Sequence, residues 1–409
     1  MIVQSSKTRQ DTHLSYCTNI HAGATWEDAF SALQTHIPKV RDACNAHRRG
    51  TPFGIGLRLS QAHLETLEHA DNLDVFLQWM RHENLYVYTI NGFPSGAFHG
   101  EWVKADVYRP DWTEPERLDY TCRLVELAAQ LGSPDQAISI STLPGTYKPW
   151  AEGAEPGIAA QLLDCIAHCM TVEQQTGVFV SIAIEPEPCC LLETAAEVVD
   201  FFARWFQTDA AQEHVAHVAD VSKASAGIGI RRHLGVCHDV CHSAVEFESA
   251  LAAIERYALA DIPVLKIQLS SALRLDPASE DARRALAAFD EPVYLHQVVR
   301  RNANGELERY SDIHEALERD PDVMSEWRVH FHVPVFLASM EAFGTTQNVL
   351  AELLDEQAQR AISCHLEIET YTWDVLPAEY RNVPIADAIA RELDWVHARL
   401  THTEQPATA

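Results

Sequence analysis

The segment Phe179-Val-Ser-Ile-Ala-Ile-Glu185 alternates large and small residues, and its small-residue face ends in a carboxylate. Side chains alternate between the faces of a strand, so Val180, Ile182 and Ile184 can pack beneath helices while Ser181, Ala183 and Glu185 face a crowded interior. The same pattern recurs in Leu14–His21, Phe53–Leu59, Leu85–Ile90, Ala137–Thr142, Leu234–Asp239, Val264–Leu269 and Cys364–Thr370. Helical periodicity separates these segments from residue 14 to about 258, which is the order a parallel sheet requires. The fold class expected is α/β, a (β/α)8 barrel whose interior face collects polar groups at one rim.

Local signals agree with that order. Thr25 is placed to cap one helix, Thr194 with Glu197 another, and Thr113-Glu-Pro-Glu116 reads as a capping box for a helix closed by Gly132. Gly54-Ile-Gly56 is explained by tight packing inside the barrel rather than by a phosphate loop. Regularity breaks between about Ser271 and Arg328, where Asn304-Gly305 between Tyr294–Val299 and Leu307–Tyr310 signals a hairpin. A ninth strand candidate, Val329–Phe336, either replaces an earlier strand or belongs to an excursion from the loop after strand seven; the excursion is favoured, because loops at this end of a barrel accept insertions. The expected organisation is one domain over 1–409, with the barrel at about 14–380, an insertion at about 271–336 and an exterior C-terminal helix at about 384–402.

Charge narrows the range of partners. A net charge of −28 repels phosphate backbones and anionic lipid, so no nucleic acid and no membrane insertion are expected; one small anionic substrate held by local basic groups remains compatible. Met1–Gln10 is polar, and no run approaches the roughly 18 apolar residues of a spanning helix, so a soluble, cytoplasmic protein is expected, with homo-oligomer formation left open. The ten cysteines, including adjacent Cys189 and Cys190, read as reduced, buried small hydrophobes. Neither Cys165 with Cys169 nor Cys237 with Cys241 has the paired spacing of a structural zinc site.

Reactive groups of such barrels sit at the C-terminal strand ends. There the sequence offers Asn19 and His21, Arg58, Glu185 and Glu187, Asp239 and His242, Gln268, and Glu367 and Glu369. Inward parity selects Gly235, Cys237 and Asp239 on strand six and Lys266 and Gln268 on strand seven. Glu185, Asp239, Glu369 and the amide of Gln268 converging on one point would make a site for a divalent metal ion such as Mn²⁺, Mg²⁺, Co²⁺ or Zn²⁺. His332 replaces Gln268 as a ligand if the strand count shifts, and Glu367 competes with Glu369. Without a metal, each of these is a rim residue paired with an arginine or facing water.

Ile184-Glu185-Pro-Glu187-Pro188, Asp239-Val-Cys-His242 and Ile368-Glu369-Thr370 resemble the metal-site motifs of xylose-isomerase-like TIM barrels, which include sugar isomerases, ketose 3-epimerases and the endonuclease IV type of nuclease. More narrowly, His13–His21, Asn91-Gly-Phe-Pro94, Val107–Trp112 and Glu369–Asp374 resemble the metabolite traffic protein EboE family, encoded in a bacterial secondary-metabolite cluster. In the superfamily the third ligand is a His on strand seven, where this chain has Gln268. The resemblance implies a metal-dependent isomerase or epimerase acting on a sugar, sugar phosphate or cyclitol. Glu185 and Glu369 would be its catalytic base and acid, and His242 would hold a substrate hydroxyl.

Further substrate contacts are expected from Arg58, Asn19, His21, Glu187, His296 and His332. Arg58 equally suits an ion pair with Asp239 or Glu185, and His21, His296, His330 and His332 equally suit hydrogen-bonded core positions. The loop Asn91–Trp112, with Phe93, Phe98 and Trp102, reads as a lid or as a packed surface loop. A non-catalytic metabolite carrier is the alternative function. An endonuclease IV-like phosphodiesterase is disfavoured by the charge.

Overall fold

The computed structural model describes residues 1–5, 7, 10–93, 104–290, 295–319, 325–340, 342–373, 376 and 382–401. Eight strands form the barrel: β1 (Asp11–Tyr16), β2 (Phe53–Arg58), β3 (Leu85–Asn91), β4 (Ile138–Thr142), β5 (Val180–Ile184), β6 (Leu234–Asp239), β7 (Val264–Leu269) and β8 (His365–Ile368). From β2 to β8 each pairs in parallel with the next, and β8 pairs with β1. A parallel bridge between Cys17 and Gly56 joins β1 to β2 and closes the ring near its rim. At the other end of β1, the antiparallel strand Ile2–Gln4 takes the free edge. β1 stops short of the expected His21 because the chain enters a 3-10 turn at Thr18–Ile20.

Exterior helices bury the aliphatic strand face, and most start where the sequence provides a cap. Thr25 forms a capping box with Asp28 and Thr194 with Glu197. The box expected at Thr113 and Glu116 does not form: the helix Pro115–Leu131 begins after Glu114, and Thr113 instead donates its N–H (2.7 Å) and hydroxyl (2.5 Å) to Asp111 Oδ1. Gly132 ends that helix as expected. All ten cysteines are free. Among the described residues no helix is long and apolar enough to cross a membrane.

The segment after β7 builds a second sheet, which settles the strand count. Leu273–Leu275, Val298–Arg301, Leu307–Tyr310, Glu326–Val329, Ser339–Met340 and Phe343–Thr345 pair antiparallel around their own core, with Trp327, Val329 and Phe331 at its centre. The Asn304-Gly305 hairpin forms, with Gly305 at φ 85°. Val329–Phe336 is therefore not a barrel strand; its first residue ends a strand of this sheet, and the rest has no regular structure, carries His330 and His332 to the barrel mouth and turns at Val335 and Phe336.

Inside the barrel, Lys266 Nζ lies 2.6 Å from Glu367 Oε2 with both side chains fully buried. Gly56 makes room for this pair: a Cβ there would lie 1.7 Å from Glu367 Oε1 and 2.8 Å from the Tyr16 carbonyl oxygen. Gly56→Ala should cost about 3 kcal/mol through overpacking against a charge that has nowhere to go. A denaturant midpoint equal to wild type would contradict the close approach.

Candidate metal centre

Three strand ends deliver carboxylates to one point. Glu185 continues β5 by donating its N–H to the Thr142 carbonyl (2.9 Å), and Glu369 continues β8 by donating to Leu269 (3.1 Å). Asp239 ends β6 and caps the following short helix. One potential ligand oxygen from each of Glu185, Asp239 and Glu369 lies within 4.8 Å of the others, and all three residues are buried.

Hydrogen bonds engage one oxygen each of Asp239 and Glu369, and among the described residues one oxygen each of Asp239 and Glu185 is without a partner. Asp239 Oδ1 accepts from the His242 N–H (2.9 Å) and the Ser270 hydroxyl (2.8 Å), while Oδ2 has no partner. Glu369 Oε1 accepts from Asn19 Nδ2 (2.7 Å) and Asn91 Nδ2 (3.0 Å). Glu185 Oε2 has no partner among the described residues. Gln268, fully buried and in register with Asp239, has neither amide oxygen nor amide nitrogen paired among the described residues. A buried polar group without a partner costs about 1–3 kcal/mol, so several at one point fit a cation that their oxygens could share. Three carboxylates and an amide are hard oxygen donors, which suit Mg²⁺ or Mn²⁺ and also accept Zn²⁺.

Proton affinities follow from this crowding. Burial, then the charge of Asp239, outweighs His242 and Lys266 and pushes the Glu185 carboxyl up to about 7. Burial, then Glu185, Asp239 and Glu367, holds Glu369 well above the usual carboxylate range. Burial acts on Asp239 in the same sense, but His242, His332 and the donors to Oδ1 keep it low. His242 carries most of that effect, because burial lowers His332 to about 4 and keeps it neutral, whereas Asp239, Glu187 and Glu185 raise His242 against its burial. The centre thus combines one readily ionised carboxylate with two whose proton affinity is raised in the absence of a cation.

The other expected residues fall in distinct places. His332 reaches the centre although its segment is not a barrel strand: Nδ1 lies 2.8 Å from the Glu369 carbonyl oxygen and Nε2 4.0 Å from Asp239 Oδ2. Gln268 and His332 are thus both present. Glu367 is engaged below the rim by Lys266. His242 Nδ1 donates to the Pro186 carbonyl (2.8 Å). Glu187 Oε1 accepts from Tyr108 (2.9 Å) and Gln297 Nε2 (3.2 Å). His296 turns its Nδ1 to the His330 carbonyl (3.3 Å) and tilts against Phe331. His21 bonds the Tyr16 hydroxyl (2.9 Å) and stacks on His36. Arg58 stands on the side of the rim near His63 and Tyr120.

Sequence reasoning missed Asn91 and Gln297 as parts of the site. Asn91 had a signal, an amide at the C-terminal end of a strand. Gln297 had none, because it arrives from the second sheet. In the loop after β3, Phe93 packs edge-on against Tyr108 at 6.1 Å, while Phe98 and Trp102 lie outside the described residues.

No protein-family model matches the sequence, and no curated protein matches it. Solved structures do resemble it. A xylose isomerase-like TIM barrel protein from Mycobacterium smegmatis, in complex with magnesium, aligns at TM-score 0.49 and 11% identity over 96% of this chain and 97% of that one. The IOLI protein with a bound zinc atom aligns at 0.47 and 11% over 95% and 97%. The probable 3-DHS dehydratase AsbF from Bacillus anthracis aligns at 0.45 and 12% over 93% and 97%.

Proposed function

We propose that the barrel mouth holds a divalent cation and catalyses isomerisation or epimerisation of a sugar, sugar phosphate or cyclitol by carboxylate-mediated proton transfer. The observation that carries this reading is the convergence of Glu185, Asp239 and Glu369, buried, with bare oxygens on Glu185 and Asp239. A cation held by these three and Gln268 would polarise a carbonyl or adjacent hydroxyls and stabilise enediolate charge. Glu185 and Glu369 come from strands separated by β6 and β7, so they can address one carbon from two sides. Burial and Asp239 hold Glu185 at about 7 without a cation; a bound cation would favour its ionised form, leaving it to take up a substrate proton as base and return it as acid. Asn19 and Asn91 hold Glu369 in orientation. His242, fixed through Nδ1, sets Nε2 3.9 Å from Asp239 Oδ2, and the burial of these side chains restricts water at the site. The motif resemblance to EboE would place the reaction in bacterial secondary metabolism.

Two measurements test the reading. Metal analysis of the purified protein should find divalent metal, with about one ion per chain fewer in Glu185→Gln/Glu369→Gln. Candidate polyols incubated with the protein in D₂O should gain carbon-bound deuterium. Metal and ligand binding without deuterium incorporation would make the barrel a carrier, and no metal in the wild-type protein would end the isomerase reading.

A further inference from the structure

His242, His330 and His332 meet ring to ring above the acidic centre, and their hydrogen bonds fix which nitrogen carries the proton. His242 Nδ1 faces the Pro186 carbonyl oxygen at 2.8 Å, and His332 Nδ1 faces that of Glu369 at 2.8 Å. A carbonyl oxygen only accepts, so both Nδ1 atoms are protonated. His330 Nδ1 faces Gln297 Oε1 at 2.7 Å. The amide orientation of Gln297 is itself fixed, because its Nε2 faces Glu187 Oε1 (3.2 Å) and the Pro188 carbonyl (3.3 Å), two more groups that only accept here. All three neutral rings therefore direct Nε2 lone pairs at one another.

Those lone pairs are close. His330 Nε2 is 3.1 Å from His242 Nε2 and 3.1 Å from His332 Nε2, and all three side chains are buried. Two acceptors at that distance repel, and burial removes the water that would separate them. One proton on His242 could bridge it to His330 but would leave His330 and His332 facing each other with no donor between them. A tetrahedral cation with metal–nitrogen bonds of about 2.0–2.1 Å spaces its nitrogen ligands about 3.3 Å apart, close to what these rings show. A fourth donor stands nearby: Asp239 Oδ2 is 3.9 Å from His242 Nε2 and 4.0 Å from His332 Nε2.

We infer that His242, His330 and His332, with Asp239, form a second metal site that takes a borderline transition-metal ion of the Zn²⁺ type rather than Mg²⁺. Three imidazoles supply that preference, and the acceptors on each Nδ1 are the partners that orient histidine ligands. Asp239 stands between this site and the acidic one, so the mouth can hold two ions of different character. The inference does not depend on the acidic centre being catalytic.

The test strips the full-length protein with a chelator and reloads it with Co²⁺ alone. Intense visible absorption of tetrahedral Co²⁺ is expected, together with three strongly shifted, solvent-exchangeable proton resonances from the Nδ1–H groups. Both should persist in Glu185→Gln/Glu369→Gln and disappear in His330→Ala, with bound metal falling by about one ion per chain in each variant. Weak, octahedral-type absorption with no shifted ring N–H signals in the wild-type protein would overturn the site, and that readout does not require any variant to fold. So would wild-type absorption in a folded His330→Ala protein. Absent deuterium transfer alongside an intact Co²⁺ signature would reject the proposed reaction and leave this site standing.

Discussion

Lys266→Met is expected to lower folding stability by about 3–5 kcal/mol, because it strands a carboxylate inside the barrel. Among the described residues, Glu367 has no hydrogen-bond partner beyond its 2.6 Å ion pair with Lys266. The ammonium has one further contact, the Ser141 hydroxyl at 3.3 Å. Burial alone would drive the Lys266 proton off, but Glu367 holds it on and raises its affinity above the usual lysine value. Replacing both partners, Lys266→Met/Glu367→Met, should restore most of the loss, since a buried pair replaced by apolar residues of similar volume is often nearly neutral. Denaturant unfolding of both variants decides the matter. A single variant within about 1 kcal/mol of wild type, or a double variant as unstable as the single, would show that the pair is not the constraint it looks to be. The lysine also matters above its own layer, because its charge favours ionisation of Glu185 and Glu369 at the rim.

The barrel was legible because its signal is repeated and periodic. The parity that separates Val236 from Cys237 and Leu265 from Lys266 is imposed by the pleat itself, and it led to Glu185, Asp239 and Glu369 before any contact was known. The second sheet was legible as a departure from that pattern and through one turn, Asn304-Gly305, but its position over the mouth was not. His330 and Gln297 enter the site because non-local pairing between Val298–Arg301 and Glu326–Val329 brings their segments together, and no local propensity encodes that pairing. The choice between Gln268 and His332 was framed as a matter of strand count. The structure keeps Gln268 at the end of β7, in register with Asp239, and brings His332 to within 4.0 Å of Asp239 Oδ2 from a segment outside the barrel. The Thr113 capping box failed for a local reason: Asp111 competes for the same threonine hydroxyl and amide.

Metal-free Glu185→Gln is expected to be more stable than the metal-free wild type at pH 8 by about 3 kcal/mol, and metal should reverse that order. Burial and Asp239 raise the Glu185 carboxyl from 4.5 to about 7 in the folded protein. Below pH 4.5 both the folded and the unfolded chain hold this proton, so the full stability is present. As pH rises from about 4.5 to about 7, the unfolded chain releases the proton while the folded chain keeps it, and stability is lost until the folded group also ionises. Glutamine cannot titrate, so it escapes that loss. Buried histidines such as His238 and His365, lowered to about 4 and about 3, give an opposite dependence between their folded values and 6.5, but they are common to both proteins and cancel in the difference. The stability gap should therefore be near zero at pH 4.5, grow through pH 7 and level off above it. A cation at the acidic centre binds the ionised carboxylate, so Mg²⁺ at a thousand times its dissociation constant adds about 4.1 kcal/mol to the wild type and little to the variant. Chelator-treated and metal-loaded samples unfolded at several pH values would show the crossing. A variant no more stable than wild type in chelator at pH 8, or one that gains as much from metal, would mean that Glu185 does not hold the charge on which the centre depends.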